Sequence, residues 1–405
     1  MSFIKYLILS SFIWSFHILA QDSNLISENA NKLALTFYKN ITKSSQSNFI
    51  FSPVSITTAV AQIYIGSERK TKNEITDVFY FNDDVQLFKE SFHNYSNKLF
   101  KYDDSLSIKL SNANSIWIDK NIKLKNDYMV DLSYYFNSEV FELDLEKKNE
   151  SIKKVNSWVT DNTNNRIKKI LNVEDIKGNT ALLILNAIYF KDRWKVEFKK
   201  DSTKDDDFFL LNGEKITTKM MNNISNYGYS ANENYESILL PYNTENFSML
   251  VLLPREIDGL TDLEINIDDI NIDDLLTNII IRKIHLSLPQ FKFQFSLNNL
   301  KVILSDLGMS TAFNRDYANF KKIYDEEYKN LYVEDVKHKA FIEVNEEGTE
   351  AAAVTAIIGG IVTISVKKPP LNVKIDHPFL FIIIEKNTKS ILFIGRVLNP
   401  EEKSL

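Results

Sequence analysis

The chain has 405 residues, 44% of them hydrophobic and none of them cysteine, and its formal net charge is −6. The lack of cysteine excludes disulfides, thiol nucleophiles and zinc–thiolate sites within this chain, and the acidic balance argues against a nucleic-acid or polyanion partner. Its length alone would suggest two or three domains, but no linker, composition break or internal repeat divides it, so we predict one domain over residues 21–405.

The first twenty residues have the features of a secretory signal peptide. Lys5 supplies a positive charge, residues 6–20 are almost wholly apolar, and Ala20-Gln21 suits a cleavage site. A membrane anchor is disfavoured, because polar side chains interrupt an apolar run that is shorter than the about 20 residues of a membrane span. We therefore predict a secreted, extracellular protein without a membrane partner, from which residues 1–20 are removed.

Export would also make N-linked glycosylation possible at surface positions. Five Asn-x-Ser/Thr sequences are candidates, and they begin at Asn40, Asn94, Asn149, Asn223 and Asn246.

Helical patterns dominate the first half of the chain. Apolar residues recur at helical spacing over residues 25–43, and Ser52-Pro53 predicts the start of a second helix with proline in its first turn. Similar spacing predicts helices over residues 84–102 and 150–171. Trp158, on the last of these, is expected to pack against a sheet.

Strand patterns dominate the second half. Residues 181–190 are apolar on both faces, which predicts a buried central strand in which the amide of Asn186 needs partners. Two strand pairs follow, 237–241 with 247–254 and 378–385 with 391–397. Together these elements predict an α+β fold with large sheets.

Enzyme motifs are not found. The sequence contains no phosphate-binding glycine loop, no Gly-x-Ser-x-Gly elbow and no His-Glu-x-x-His metal site. A catalytic triad can assemble from distant positions, so this ranks an enzyme low without excluding it. We predict a protein that is not an enzyme and that needs no metal and no cofactor.

One segment combines the composition of a strand with the boundaries of a loop. Residues 351–366 are uncharged and mostly small or β-branched, yet Gly348 precedes them and two lysines and two prolines follow. Three of the chain's ten glycines, Gly348, Gly359 and Gly360, lie in this region. A segment that can be either strand or loop is suited to act as a switch.

Many separated motifs resemble those of the serpin family over essentially all of residues 21–405. The matching segments are 48–56, 110–117, 185–194, 288–293, 307–309, 338–350, 377–381 and 393–400. The resemblance implies a metastable α+β fold with about three β-sheets, eight to nine helices and an exposed reactive loop at about 346–370. It also implies a monomer that inhibits serine proteases.

The implied mechanism is that of a suicide substrate. A protease cleaves the reactive loop, and the part of the loop before the cut inserts into the main sheet while the enzyme is still acyl-linked. The implied hinge of that movement is Glu346, Glu347, Gly348, Thr349, Glu350, Ala351, Ala352 and Ala353. The family places a buried polar cluster, the shutter, at Ser52, Ser55, Asn186 and His338, and the entry point of the loop, the breach, at Trp194 and Glu346.

The cleaved bond can be placed in two ways. Counting forward from Gly348 by the family's spacing gives Val362–Thr363, which suits an elastase-like protease. Counting back from Pro378 gives Lys367–Lys368, which suits a trypsin-like protease. We favour Val362–Thr363, because the length on the hinge side determines how far the protease is carried.

A non-inhibitory serpin that acts as a binding or carrier protein is the alternative function. Such members usually have bulky or charged hinge residues, whereas an inserted strand here would place Thr349, Ala351 and Ala353 on one face and direct Glu350 away from the core. A second alternative, that residues 351–355 form a permanent core strand or short helix, is disfavoured by the glycines around them.

Overall fold

The computed structural model describes residues 24–101, 108–176, 182–325, 331–349 and 369–402. The predicted signal peptide, the hinge residues 350–353 and both candidate cleavage sites lie outside these ranges. No helix within the described ranges is long and apolar enough to cross a bilayer.

Most helices lie in the first half of the chain, as predicted. In the described ranges they are α1 over residues 24–42, α2 Pro53–Tyr64, α3 Arg69–Phe79, α4 Val85–Phe100, α5 Asn126–Phe136, α6 Lys148–Asn162, α7 Leu260–Ile265, α8 Ile272–Thr277 and α9 Leu300–Asp306. Ser52 caps α2 by accepting a hydrogen bond from the Ser55 amide, and Pro53 occupies the first turn, where no backbone donor is required.

The strands form two sheets among the described residues. The main sheet runs in the order β10 Phe291–Leu297, β11 Val333–Asn345, β12 Gly348–Thr349, β4 Leu182–Arg193, β2 Lys109–Asp119 and β3 Ser138–Leu143. The second sheet runs β1 Phe49–Phe51, β15 Ser390–Val397, β14 Phe379–Glu385, β8 Phe247–Pro254, β7 Tyr235–Pro241, β6 Lys215–Ala231, β9 Ile280–Pro289 and β13 Leu371–Lys374, with β5 Lys204–Phe209 also on β6.

The long strand β6 joins two parts of the second sheet. Its first part pairs with β5 and β9, and its last residues also pair with β7. Counted as separate parts, these and the main sheet correspond to the three sheets that were expected.

One predicted helix ends earlier than expected. The prediction continued to residue 171, but α6 ends at Asn162. Asn164 and Asn165 have φ angles of 48° and 63°, and the Thr163 hydroxyl accepts a hydrogen bond from the Ile167 amide at 3.1 Å, so polar side chains compete with helix propagation here.

Trp158 of α6 packs against the main sheet as predicted. Its ring lies edge-on to Trp117 of β2 and Phe141 of β3, and these residues belong to a small core under α6. The larger core lies on the other face of the main sheet. There α2, all of whose residues are buried, packs against β4 of the main sheet and β15 of the second sheet.

Candidate functional site

The two central strands of the main sheet pair at one end and are separated by another strand at the other. β4 and β11 pair in parallel up to His338 opposite Asn186. Further along, β12 lies between them, where Thr349 pairs with Val344 of β11 and with Asp192 of β4. We call this arrangement of β4, β11 and β12 the sheet fork.

The register of β12 is the one that a longer inserted strand would need. Six positions separate the direct pair from the bridged pair on both strands, from His338 to Val344 and from Asn186 to Asp192. A strand continuing from Thr349 would therefore match both neighbours at once. Between these levels, residues 187–191 and 339–343 have no pairing with each other among the described residues.

Gly348 permits the close contact between β12 and β4. A Cβ atom at this position would lie 2.2 Å from the Asp192 carbonyl oxygen and 2.6 Å from Arg193 Cα. Both obstacles are backbone atoms, so no side-chain rotation could relieve the clash. Glycine is thus required by the approach of the two strands.

Trp194 holds the turn that precedes β12. Its amide donates to the Glu347 carbonyl oxygen at 2.9 Å, and its indole Nε1 donates to the Asn345 carbonyl oxygen at 2.9 Å. The Glu346 carbonyl oxygen accepts from the Phe198 amide at 2.8 Å, and Phe198 lies edge-on to the Trp194 ring. The predicted breach residues Trp194 and Glu346 therefore meet at one corner of the fork.

Two acidic side chains of the predicted hinge, Glu346 and Glu347, are anchored at the same corner. Glu346 accepts a hydrogen bond from the Thr203 hydroxyl at 2.7 Å, and Glu347 pairs with Lys200 at 2.7 Å. The Glu347 carboxylate raises the pKa of Lys200. Glu346 and Glu347 are each 8% exposed, so these contacts hold charged groups at an otherwise closed surface.

Tyr242 contacts Thr349, the residue of β12 that lies between β4 and β11. Its ring stacks on Trp194 at 4.7 Å, and its hydroxyl lies 2.6 Å from the Thr349 hydroxyl. Burial raises the pKa of Tyr242, so its hydroxyl stays protonated at physiological pH. Thr349 is thereby held by its side chain as well as by two strand neighbours.

The predicted shutter residues form one continuous line of hydrogen bonds under the fork. The Ser52 amide donates to His338 Nε2 at 3.0 Å, and Ser55 Oγ lies 3.2 Å from His338 Nδ1. Ser55 Oγ donates to Asn186 Oδ1, whose amide group in turn donates to Asn114 Oδ1. The line thus joins α2 to β11, β4 and β2 at the level of the last direct pair.

The direction of this line follows from the state of His338. Burial lowers its pKa to about 3, so the ring is neutral at physiological pH. Because Nε2 accepts from a backbone amide, Nδ1 carries the proton and donates to Ser55 Oγ. Ser55 must then donate to Asn186, and each group in the line donates to the next one from Ser52 to Asn114.

Sequence analysis missed several residues that contribute to this site. Asn114 lies in a motif that was recognised, but only the fold shows that it faces Asn186 across β2 and β4. Tyr242, Lys200 and Thr203 carry no motif, and nothing in the sequence indicated that they would reach the hinge.

The five candidate glycosylation residues differ in accessibility. Asn149, at the start of α6, is exposed, whereas the other four are half-buried. The Asn223 amide group donates to the Glu197 carbonyl oxygen at 3.0 Å, and the Asn40 amide group to the Thr36 carbonyl oxygen at 2.9 Å. Within the described ranges, no cluster of histidine and acidic side chains could hold a metal ion.

Comparison with known proteins gives consistent matches. The family model described as "Serpin (serine protease inhibitor)" matches residues 28–400. A serine protease inhibitor of Cyanea capillata is 34% identical over 379 residues, which cover 92% of this chain and 97% of the relative.

Solved structures of serpins have the same fold as this chain. Serpin48 of the insect Tenebrio molitor, described as a highly specific serpin, superposes with a TM-score of 0.82 at 27% identity, covering 92% of this chain and 98% of that structure. Human thyroxine-binding globulin, solved as a thyroxine complex, has a TM-score of 0.84 at 24% identity, covering 95% of this chain and all of that structure. The chain belongs to the serpin family of serine protease inhibitors.

Proposed function

We propose that this protein inhibits serine proteases as a suicide substrate, by inserting its cleaved reactive loop between β4 and β11. The observation that supports this most strongly is the sheet fork. Thr349 already occupies the first position of the new strand, in register with both neighbours. The strands beyond it are paired with each other only at the far end.

The sequence after Thr349 suits that insertion. Antiparallel partners share a face of a sheet, so in the continued register Ala351 would lie beside Phe190 and Ala353 beside Ile188, towards the larger core. Glu350 would lie on the opposite face, between Lys191 of β4 and Glu343 of β11. Small uncharged side chains would enter the core, and the one charge would stay outside it next to a cation.

The energy available is large. If roughly ten new ladder hydrogen bonds form at about 1 kcal/mol net each, insertion gains on the order of 10 kcal/mol. This is comparable to the stability of a whole domain. Strand addition of this size can account for holding a bound protease in a distorted state.

The test is an SDS-stable complex with a serine protease. Wild-type protein should form one, whereas Thr349→Arg should be cleaved without trapping, because a charged side chain cannot be buried beside Tyr242. Thr217→Arg, at an exposed position of β6, is the matched control and should trap normally. Normal trapping by Thr349→Arg would contradict the mechanism, and cleavage without any complex for wild type would favour the carrier alternative.

For the target, we propose an elastase-like enzyme that cuts Val362–Thr363. A panel of elastase-, chymotrypsin- and trypsin-like enzymes, followed by mass spectrometry of the released C-terminal peptide, tests this. A peptide that starts at Thr363 supports the proposal. A peptide that starts at Lys368 would instead indicate a trypsin-like target.

We further propose that the protein is a secreted, monomeric, single-domain glycoprotein from which residues 1–20 are removed. Of its acceptors, Asn149 is the most accessible. After expression in a eukaryotic secretory host, the protein should be found in the culture medium. Its N-terminus should be Gln21, and its mass should fall after glycosidase treatment. Retention inside the cell with Met1 intact would refute this.

A further inference from the structure

A cavity of about 450 Å³ lies beside the sheet fork, where the main sheet meets the second sheet. It is lined by the segment that follows β4, the later part of β6, the end of β7 and the start of β8, together with one residue of β9 and one that follows β14. Its volume is within the range of pockets that take small molecules. The proposed inhibitory mechanism does not use this cavity.

The walls of the cavity are mainly apolar and partly aromatic. Trp194, Phe198 and Tyr227 are buried aromatic residues that line it. At its edge, Val196 and Ile281 are 46% and 73% exposed, which is unusual for large aliphatic side chains in one place. An apolar molecule would cover surface that is now in contact with water.

One buried hydroxyl group in the lining lacks a partner. Ser248 Oγ has no hydrogen-bond partner among the described residues, although Ser248 is 0% exposed. Buried polar groups are nearly always hydrogen-bonded, and leaving one unpaired costs about 1–3 kcal/mol. A polar atom of a bound molecule would satisfy it.

Two lysines give this cavity a positive edge. Lys195 and Lys386 both line it, and Lys195 forms an ion pair with the exposed Glu245 at 2.7 Å. Partial burial lowers the pKa of Lys386, Glu245 and Glu385 oppose this, and the nearby Lys195 lowers it further. Neither glutamate lines the cavity, so a carboxylate inside it would give both lysines a partner on that side.

We propose that this cavity binds a small organic acid, with its apolar body against Trp194 and Tyr227 and its carboxylate at Lys195 and Lys386. A cation would be repelled by the two lysines, and a neutral molecule would forgo the ion pairs. The inference does not depend on the inhibitory mechanism, since binding is measured on the intact chain without a protease.

Calorimetric titration with 1-naphthaleneacetate and its uncharged amide tests the ligand class, because the two compounds have nearly the same shape. We expect the acid to bind at least tenfold more tightly than the amide. The double variant Lys195→Gln with Lys386→Gln should lose that preference. Equal affinities for the two compounds in the wild type, or no binding of the acid, would overturn the proposal.

Two further variants separate specific binding from general effects. Lys215→Gln removes an exposed lysine that forms an ion pair of the same 2.7 Å length with Asp207, far from the cavity lining, and should leave the affinity unchanged. Val196→Trp should block the opening and abolish binding, with an unchanged melting temperature showing that the fold is intact. Undiminished binding by Val196→Trp would place the ligand elsewhere and refute the site.

Discussion

At the scale of single residues, the polar line beneath the sheet fork depends on a histidine that is buried without a charged partner. His338 accepts from the backbone amide of Ser52 and donates to Ser55, and only the neutral ring can do both. Protonation would remove the acceptor and leave a cation in the core. The line should therefore be sensitive to acid.

We predict that His338 makes the folded protein less stable as the pH falls below 6.5. Its pKa is about 3 in the folded state and 6.5 in the unfolded chain, so between these values the unfolded state binds the extra proton and is favoured. At pH 5 the free energy of unfolding should be lower by about 2 kcal/mol than at pH 7. Urea denaturation of wild type and His338→Gln at both pH values measures it.

In that comparison the titrating carboxylates are common to both proteins, and their effects cancel. The variant should therefore lose about 2 kcal/mol less than wild type between pH 7 and pH 5. Equal losses in the two proteins would show that His338 is not buried in its neutral form.

We predict that Gly348→Ala releases β12 from the sheet fork. The new Cβ would overlap the backbone of Asp192 and Arg193, so the strand must withdraw. Hydrogen–deuterium exchange of a peptide covering residues 345–349 should become faster. Gly213→Ala is the control, because Gly213 also has a positive φ but no atom lies within 4 Å of its Cβ position; faster exchange at 345–349 in that variant too would remove the steric explanation.

At the scale of elements, patterns in the sequence predicted the structures that depend on local periodicity. The sequence of β4 predicts a buried strand because both of its faces are apolar, and Ser52 and Pro53 predict the start of α2. The predicted end of α6 at residue 171 was wrong, because three polar residues end the helix although the apolar spacing continues beyond them. Tyr242 could not be predicted, since its contact with Thr349 arises only from long-range pairing.

Register gives a prediction for the inserted strand. Continuing from Thr349 opposite Asp192, Glu350 would lie between Lys191 of β4 and Glu343 of β11. Burial, Lys109 and Arg166 all lower the pKa of Lys191 in the intact protein. The attraction of Lys191 for the new carboxylate should be about 0.2–1 kcal/mol in the cleaved form, as for a cross-strand pair. Glu343 opposes it, but the charge of Glu343 is partly offset by its ion pairs with Lys292 at 3.1 Å and Arg166 at 3.7 Å.

Lys191→Glu should accordingly reduce the rise in melting temperature that follows loop cleavage. Lys283→Glu, at an exposed position of β9 in the second sheet, changes the net charge equally and should leave that rise unaltered. If both variants behave like wild type, Glu350 does not enter in this register.

At the scale of the whole molecule, the main sheet is closed at one end and divided at the other. The closed end is held by the direct ladder of β4 and β11 and by the hydrogen-bond line from Ser52 to Asn114. The divided end is held by Trp194 and Tyr242 against a strand of two residues. The proposed full insertion would therefore have to break the first set of contacts, while it would extend the ladder that Thr349 begins.

We predict that cutting the loop anywhere within residues 355–368 raises the melting temperature of the protein. The freed segment can then pair with β4 and β11 together, and it gains more ladder hydrogen bonds than the direct pairing of these strands loses. Hydrogen exchange should slow at residues 187–191 and 339–343 but stay unchanged in β14, which lies in the second sheet. Thr349→Arg, cut at the same bond, should show neither effect, because its first step of insertion is blocked. A cut wild-type protein that melts at the temperature of the intact one would mean that the division of the main sheet is a static feature, and the inhibitory mechanism would then have no source of energy.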